Sequence, residues 1–156
     1  MVNEIYGDLL TCGADILCHQ VNYSGVMGAG VAWAIREKLL NDEQYQQYVD
    51  YCTVLSESAL GSVQYIRLSG VKPCILANCF SQLGWAVSNS LTDYRAFRLC
   101  MESVEQTARK RGFSVALPGY MGCGIAGGDW TKVHAIIVEA FGRSTVPLTI
   151  VYKEAL

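Results

Sequence analysis

Six short strand-like segments alternate with stretches in which apolar residues recur every three or four positions, and that alternation leaves few architectures open to the chain. The strand patterns fall at Glu4–Tyr6, Ala14–Val21, Ser62–Leu68, Cys74–Phe80, Ser114–Leu117 and Leu148–Tyr152. Between them lie four helical stripes. Val31, Ile35 and Leu39 follow Gly30; Tyr45, Tyr48, Cys52 and Leu55 form the second; Tyr94, Phe97, Met101, Val104 and Ala108 the third, stopping at Gly112; Trp130, Val133, Ile137 and Phe141 the fourth, with Asp129 as its N-cap. Strands alternating with helices predict one α/β domain over residues 1–156, with a mostly parallel sheet covered on both faces. In such a sheet ligands bind beyond the carboxyl ends of the strands.

Two of the loops at those ends are rich in glycine. One runs Asn22-Tyr23-Ser24-Gly25-Val26-Met27-Gly28-Ala29-Gly30 straight into a helix, and the other runs from Pro118 to Gly128; together they hold eight of the fifteen glycines. Glycine lets backbone pass close to a ligand, so that successive N–H groups point at one anion, and a helix start adds its positive dipole end. Two such loops side by side suit a pyrophosphate, although glycine turns also serve simply to join strands to helices. There is no Gly-Lys-Ser/Thr, hence no P-loop, and Gly25, Gly28 and Gly30 do not fit the dinucleotide fingerprint G-x-G-x-x-G.

Composition narrows the partners. A formal net charge of −2 argues against a general nucleic-acid surface, which needs clustered Lys and Arg. The seven cysteines are odd in number and form no Cys-x-x-Cys pair, and most lie in apolar runs as small buried hydrophobes. With no basic, apolar leader at Met1-Val2-Asn3-Glu4 and no apolar run near the ~20 residues that span a bilayer, the expectation is a cytoplasmic, reduced, non-membrane chain. Two distant histidines and no carboxylate cluster predict no metal site, and nothing asks for a cofactor.

In combination these motifs resemble the macrodomains. The match begins at Gly7-Asp8-Leu9, passes through Asn22 and Met27-Gly28-Ala29-Gly30-Val31-Ala32, and returns at Gly122-Cys123-Gly124 and at Tyr152, in order along essentially the whole chain. The wording His19-Gln20-Val21-Asn22 is most similar to the branch of the terminal ADP-ribose glycohydrolases and the yeast phosphatase acting on ADP-ribose 1''-phosphate. The resemblance implies a three-layer α/β/α fold with a six-stranded mixed sheet, and ADP-ribose or an ADP-ribosylated substrate as the partner. It assigns Asp8, with Leu9 beside it, to the adenine amine, which an ionised carboxylate is suited to accept from; the same Asp also suits a turn. Asn22 would contact the distal ribose, or make an Asx turn. Gly28, Ala29, Gly30 and Val31 would cradle one phosphate, with Met27 before them also at the ligand, and Gly122, Cys123, Gly124 and Ile125 the other. Tyr152 would lie against adenine, or close the core at a strand end.

For chemistry the resemblance offers less. Where that glycohydrolase branch carries a lysine and an aspartate, this chain has Leu91 and Ala126, neither able to attack carbon or move a proton. His19 matches a histidine implicated in the yeast phosphatase and is a candidate general base, though an apolar strand also suits a structural histidine. Asp129 is a second candidate if it is not simply a cap, while His134 reads as surface or rim. The expectation is a hydrolase removing a phosphate, an acyl ester or a linked macromolecule from the distal ribose; the alternative is a non-catalytic ADP-ribose reader.

Overall fold

The computed structural model describes residues 2–83, 91–124 and 126–153. In chain order the elements are β1 (Val2–Tyr6), β2 (Ile16–Asn22), α1 (Gly30–Leu39), α2 (Asp42–Leu55), β3 (Val63–Arg67), β4 (Ile75–Gln82), α3 (Tyr94–Arg111), β5 (Val115–Pro118), α4 (Trp130–Phe141) and β6 (Leu148–Tyr152), with short 3₁₀ turns at Leu9–Thr11 and Ser56–Ala59. The six strands form one sheet in the order β1-β6-β5-β2-β4-β3. Every neighbouring pair is parallel except β3 with β4, so the sheet is mixed and mostly parallel, as expected.

Period-two alternation along β2 divides the core. Ile16 and Cys18 pack on one face with Phe97, Met101 and Val104 of α3 and Val133, Ile137 and Phe141 of α4. Leu17 and Val21 pack on the other with Ile35 of α1 and Tyr48 and Cys52 of α2. Each large side chain buried this way contributes about 1.5–3 kcal/mol, and together they hold three layers. Helix ends follow local chemistry. Asn41 and Gln44 make a capping box on α2, Asp93 and Asp129 accept backbone N–H bonds at the starts of α3 and α4, and Gly112 closes α3 at φ +67°. Among the described residues, no helix is long and apolar enough to cross a membrane.

One irregularity lies beside the loops. The register of β2 against β4 slips by one residue between Val21↔Phe80 and Asn22↔Gln82, leaving Ser81 as the extra residue. The Ser81 hydroxyl donates to Gln20 Oε1 at 2.9 Å, which ties the slipped segment back to β2.

Candidate functional site

A cavity of about 650 Å³ opens at the carboxyl ends of β2, β4 and β5, within the ~300–1,000 Å³ common for small-molecule sites. His19, Gln20, Val21 and Asn22 of β2 line it, with Gln82 at the end of β4. One wall is Val26 and Gly28–Ala32; the opposite wall is Pro118–Gly122 with Gly124, Leu91 and Ala126. No Lys, Arg, Asp or Glu is among these residues, so the donors available to an anion here are backbone N–H groups and neutral side chains such as Gln82 and Tyr120.

The first wall is a loop held in shape by side-chain hydrogen bonds. Asn22 Oδ1 accepts from Ser24 N–H at 2.9 Å and its amide nitrogen reaches the Val26 carbonyl at 3.4 Å, while the Tyr48 and Tyr45 hydroxyls donate to the Asn22 and Gly25 carbonyls. Asn22 therefore makes the Asx turn that shapes the loop. Gly30 enters α1 at φ +59°, which favours glycine. Helices α2, α3 and α4 each have a side-chain cap, whereas α1 begins at Ala29 with none. Its first N–H groups are left for another acceptor, at the positive end of the helix dipole.

The second wall hangs on the Gly122 carbonyl, which accepts from Thr92 Oγ1 at 2.6 Å and from Gly128 N–H at 2.8 Å. Thr92 Oγ1 in turn accepts from Gln20 Nε2 at 3.2 Å. Gly122 stands at φ +75°, and a Cβ there would lie 2.7 Å from Gln20 Oε1. The Leu91 N–H donates to the Ala126 carbonyl at 2.7 Å, so the two positions that depart from the glycohydrolase pattern meet at the cavity edge.

The expected site residues fall into three groups. His19, Asn22, Gly28, Ala29, Gly30, Val31, Gly122 and Gly124 line the cavity. Ile125 lies outside the described residues. The others stand elsewhere. Met27 is fully buried beneath the first loop, its side chain part of the α1/α2 core. Cys123 donates its thiol to the Met121 carbonyl, and burial with the nearby Asp129 charge pushes that thiol up to about 11, so it is no thiolate nucleophile at neutral pH. Asp129 itself is exposed and accepts from Thr131 N–H at 2.9 Å, filling the N-cap role. Asp8 is exposed, with Oδ1 accepting from Leu10 N–H, and Leu9 starts the 3₁₀ turn it caps. Val31, read as part of the inner stripe of α1, is instead 40% exposed because that end of the helix turns toward the cavity.

Tyr152 lies at the end of β6, next to β1, with its ring against the Gly119 backbone so closely that a Cβ at Gly119 would overlap it. Its hydroxyl donates to Glu4 Oε1 at 2.6 Å, and burial together with that carboxylate pushes the phenol up to about 12. Tyr120 connects Tyr152 to the cavity. It lines the wall at φ +58°, is 60% exposed, and sits edge-on to Tyr152 with ring centroids 5.4 Å apart. Tyr6 and Trp130 complete this aromatic group. Gln20, Gln82, Thr92 and Tyr120 join the site only in the structure. Gln20 stands inside the His19–Asn22 motif and Tyr120 in the second glycine loop, whereas Thr92 bonds Gln20 across 72 positions, which no local pattern reveals.

His19 is 1% exposed. Its Nε2 lies 2.6 Å from Asn78 Oδ1, and Nδ1 is buried without a partner among the described residues. Burial, opposed only in part by the Asn78 bond, lowers the imidazole from 6.5 to about 4. The ring is therefore neutral across the physiological range. No group of three or more His, Cys, Asp or Glu among the described residues is placed to hold a metal.

Comparison with known proteins bears on the fold. No family model matches the chain, nor does any curated protein sequence. Solved structures do match. The macrodomain of Mycobacterium tuberculosis DarG is 24% identical, with 99% of each chain covered and a TM-score of 0.83. A macrodomain protein from Streptomyces coelicolor is 25% identical over 99% of this chain and 100% of that one, at 0.75. Thermosipho africanus DarTG, solved in complex with ADP-ribose, is 18% identical over 97% of this chain and 42% of that one, at 0.77. With the same strand-and-helix arrangement over nearly its full length, this chain has the macrodomain fold.

Proposed function

We propose that the chain is an ADP-ribose-binding module whose cavity holds the pyrophosphate between the two glycine loops. The observation that carries this reading is the uncapped start of α1 facing a cavity without charged side chains. A diphosphate supplies the acceptors those N–H groups lack, each such bond to a charged oxygen contributing about 1.5–3 kcal/mol. The ADP-ribose complex of a structure with the same fold supports it. Adenine would lie toward Asp8 and Tyr152, reached past Tyr120, and the distal ribose toward Asn22 and His19. The seven free thiols suit a cytoplasmic setting.

Hydrolysis at the distal ribose is the second reading, favoured by one observation: His19 lines the cavity with an unpartnered Nδ1 on a neutral ring. Asp129 caps α4 through Oδ1, which makes it the weaker candidate base, and Leu91 with Ala126 leaves a lysine-adduct route without its lysine and aspartate.

Calorimetry with ADP-ribose tests the first reading and should give one-to-one binding. Asp8→Ala should weaken it roughly 10- to 100-fold through loss of a charged hydrogen bond to the adenine amine. Absence of binding to the folded wild type rejects the module. A turnover panel of ADP-ribose 1''-phosphate, O-acetyl-ADP-ribose, ADP-ribosylated protein and ADP-ribosylated DNA, with products followed by mass, decides between reader and hydrolase.

A further inference from the structure

His19, Asn78 and Gln64 are cross-strand neighbours in register on β2, β4 and β3. Their side chains are joined in a line: His19 Nε2 to Asn78 Oδ1 at 2.6 Å, Asn78 Nδ2 to Gln64 Oε1 at 3.2 Å, and Gln64 Nε2 to the Gln47 carbonyl of α2 at 3.0 Å. The last acceptor fixes the direction of the whole line. A backbone carbonyl only accepts, so the Gln64 atom beside it is the NH₂ group, and Gln64 turns its oxygen to Asn78. Asn78 must then donate to Gln64 and turn its own oxygen to His19. That oxygen requires a proton on His19 Nε2, which leaves Nδ1 as a bare acceptor.

We propose that Asn78 and Gln64 are positioning residues that hold His19 as the Nε2–H tautomer, so that Nδ1 accepts a hydrogen bond from a hydroxyl of the ligand bound in the cavity. The second half rests on the ADP-ribose reading; the tautomer does not. The unpartnered Nδ1 is the independent sign of a missing donor. Buried polar atoms are nearly always paired, and this is the sole unpaired buried side-chain nitrogen or oxygen among the described residues. A ribose hydroxyl is a donor of the right kind, whereas a phosphate oxygen at neutral pH, having no proton, is not.

With only two histidines in the chain, 15N-correlated NMR of the ring nitrogens reads the tautomer directly. Without ligand, His19 should show a protonated Nε2 and an unprotonated Nδ1. Asn78→Ala should shift both nitrogens toward the average of the two tautomers and weaken ADP-ribose binding roughly 3- to 10-fold. Gln64→Leu, at a half-buried site, should move the pattern the same way. Gln64→Glu, which gives up the donor to the Gln47 carbonyl but keeps an acceptor for Asn78, should retain the wild-type pattern, an outcome that mere loss of packing does not give. Added ADP-ribose should shift Nδ1 in the wild type. A proton on Nδ1 in the free protein, or a pattern unmoved by both Asn78→Ala and Gln64→Leu, overturns the proposal. So does an Nδ1 that stays put while calorimetry records binding. Failure of ADP-ribose to bind rejects the module instead, with the tautomer still decided by the free protein.

Discussion

Gly124→Glu is expected to weaken ADP-ribose binding about a hundredfold or more while leaving the melting temperature unchanged. Gly124 is exposed, lines the cavity, and is not in the left-handed region; a Cβ added there meets no atom of the described residues within 4 Å. The backbone therefore accepts the substitution, and the new side chain has open space to enter. That space is where the diphosphate is proposed to lie, and like charges brought together in a site without basic side chains cost several kcal/mol. Gly122, two residues earlier, supplies the contrast. Its φ of +75° and the 2.7 Å approach of a Cβ to Gln20 Oε1 mean that Gly122→Ala must displace the Gln20–Thr92 network. Gly122→Ala should lower the melting temperature, as Gly124→Glu should not. Gly28→Glu is a less clean probe, because a Cβ there already lies 3.3 Å from Val26 Cγ1. If Gly124→Glu folds and binds ADP-ribose like the wild type, the diphosphate is not held between these loops.

What the sequence revealed and what it hid divide along the range of the interactions. The Gly112 stop, the Asp129 cap and the inner residues of α3 are written within one or two turns of chain, and each was legible. The layered parallel sheet followed from alternation alone, since a buried strand such as Ile16–Asn22 needs helices on both sides. Site residues were less legible because several have a local role that competes with the ligand. Asn22 shapes its own turn, Asp8 caps a 3₁₀ segment, and Asp129 caps α4. A motif marks such a position without saying which role its side chain performs. The His19 relay was out of reach for a different reason. It depends on the register of three strands and joins residues 59 positions apart, so no pattern local to His19 names Asn78 or Gln64.

The buried ring also sets an acid limit on the fold. His19 titrates near 4 in the folded protein, against about 6.5 when exposed in the unfolded chain. Between those values the unfolded state binds a proton that the native state does not, so stability must fall as the pH is lowered through that window. Above about 6.5 both states leave the ring neutral and its contribution is flat; below about 4 both are protonated and the loss is complete. A difference of about two and a half units corresponds to about 3 kcal/mol, and the group is buried deeply enough that solvent screening does not reduce it much. Glu4 responds in a lower range, because the Tyr152 hydroxyl holds its carboxyl below the ordinary value. Comparing the wild type with His19→Gln removes that background. Urea unfolding at pH 7 and at pH 4 should show the wild type losing about 3 kcal/mol more than the variant between the two conditions, whatever their difference at pH 7. The window follows from a buried ring whose second nitrogen has no partner among the described residues to offset its desolvation. Parallel losses in the two proteins would mean that His19 is hydrated and titrates normally, and that the cavity floor is more open than the packing around it implies.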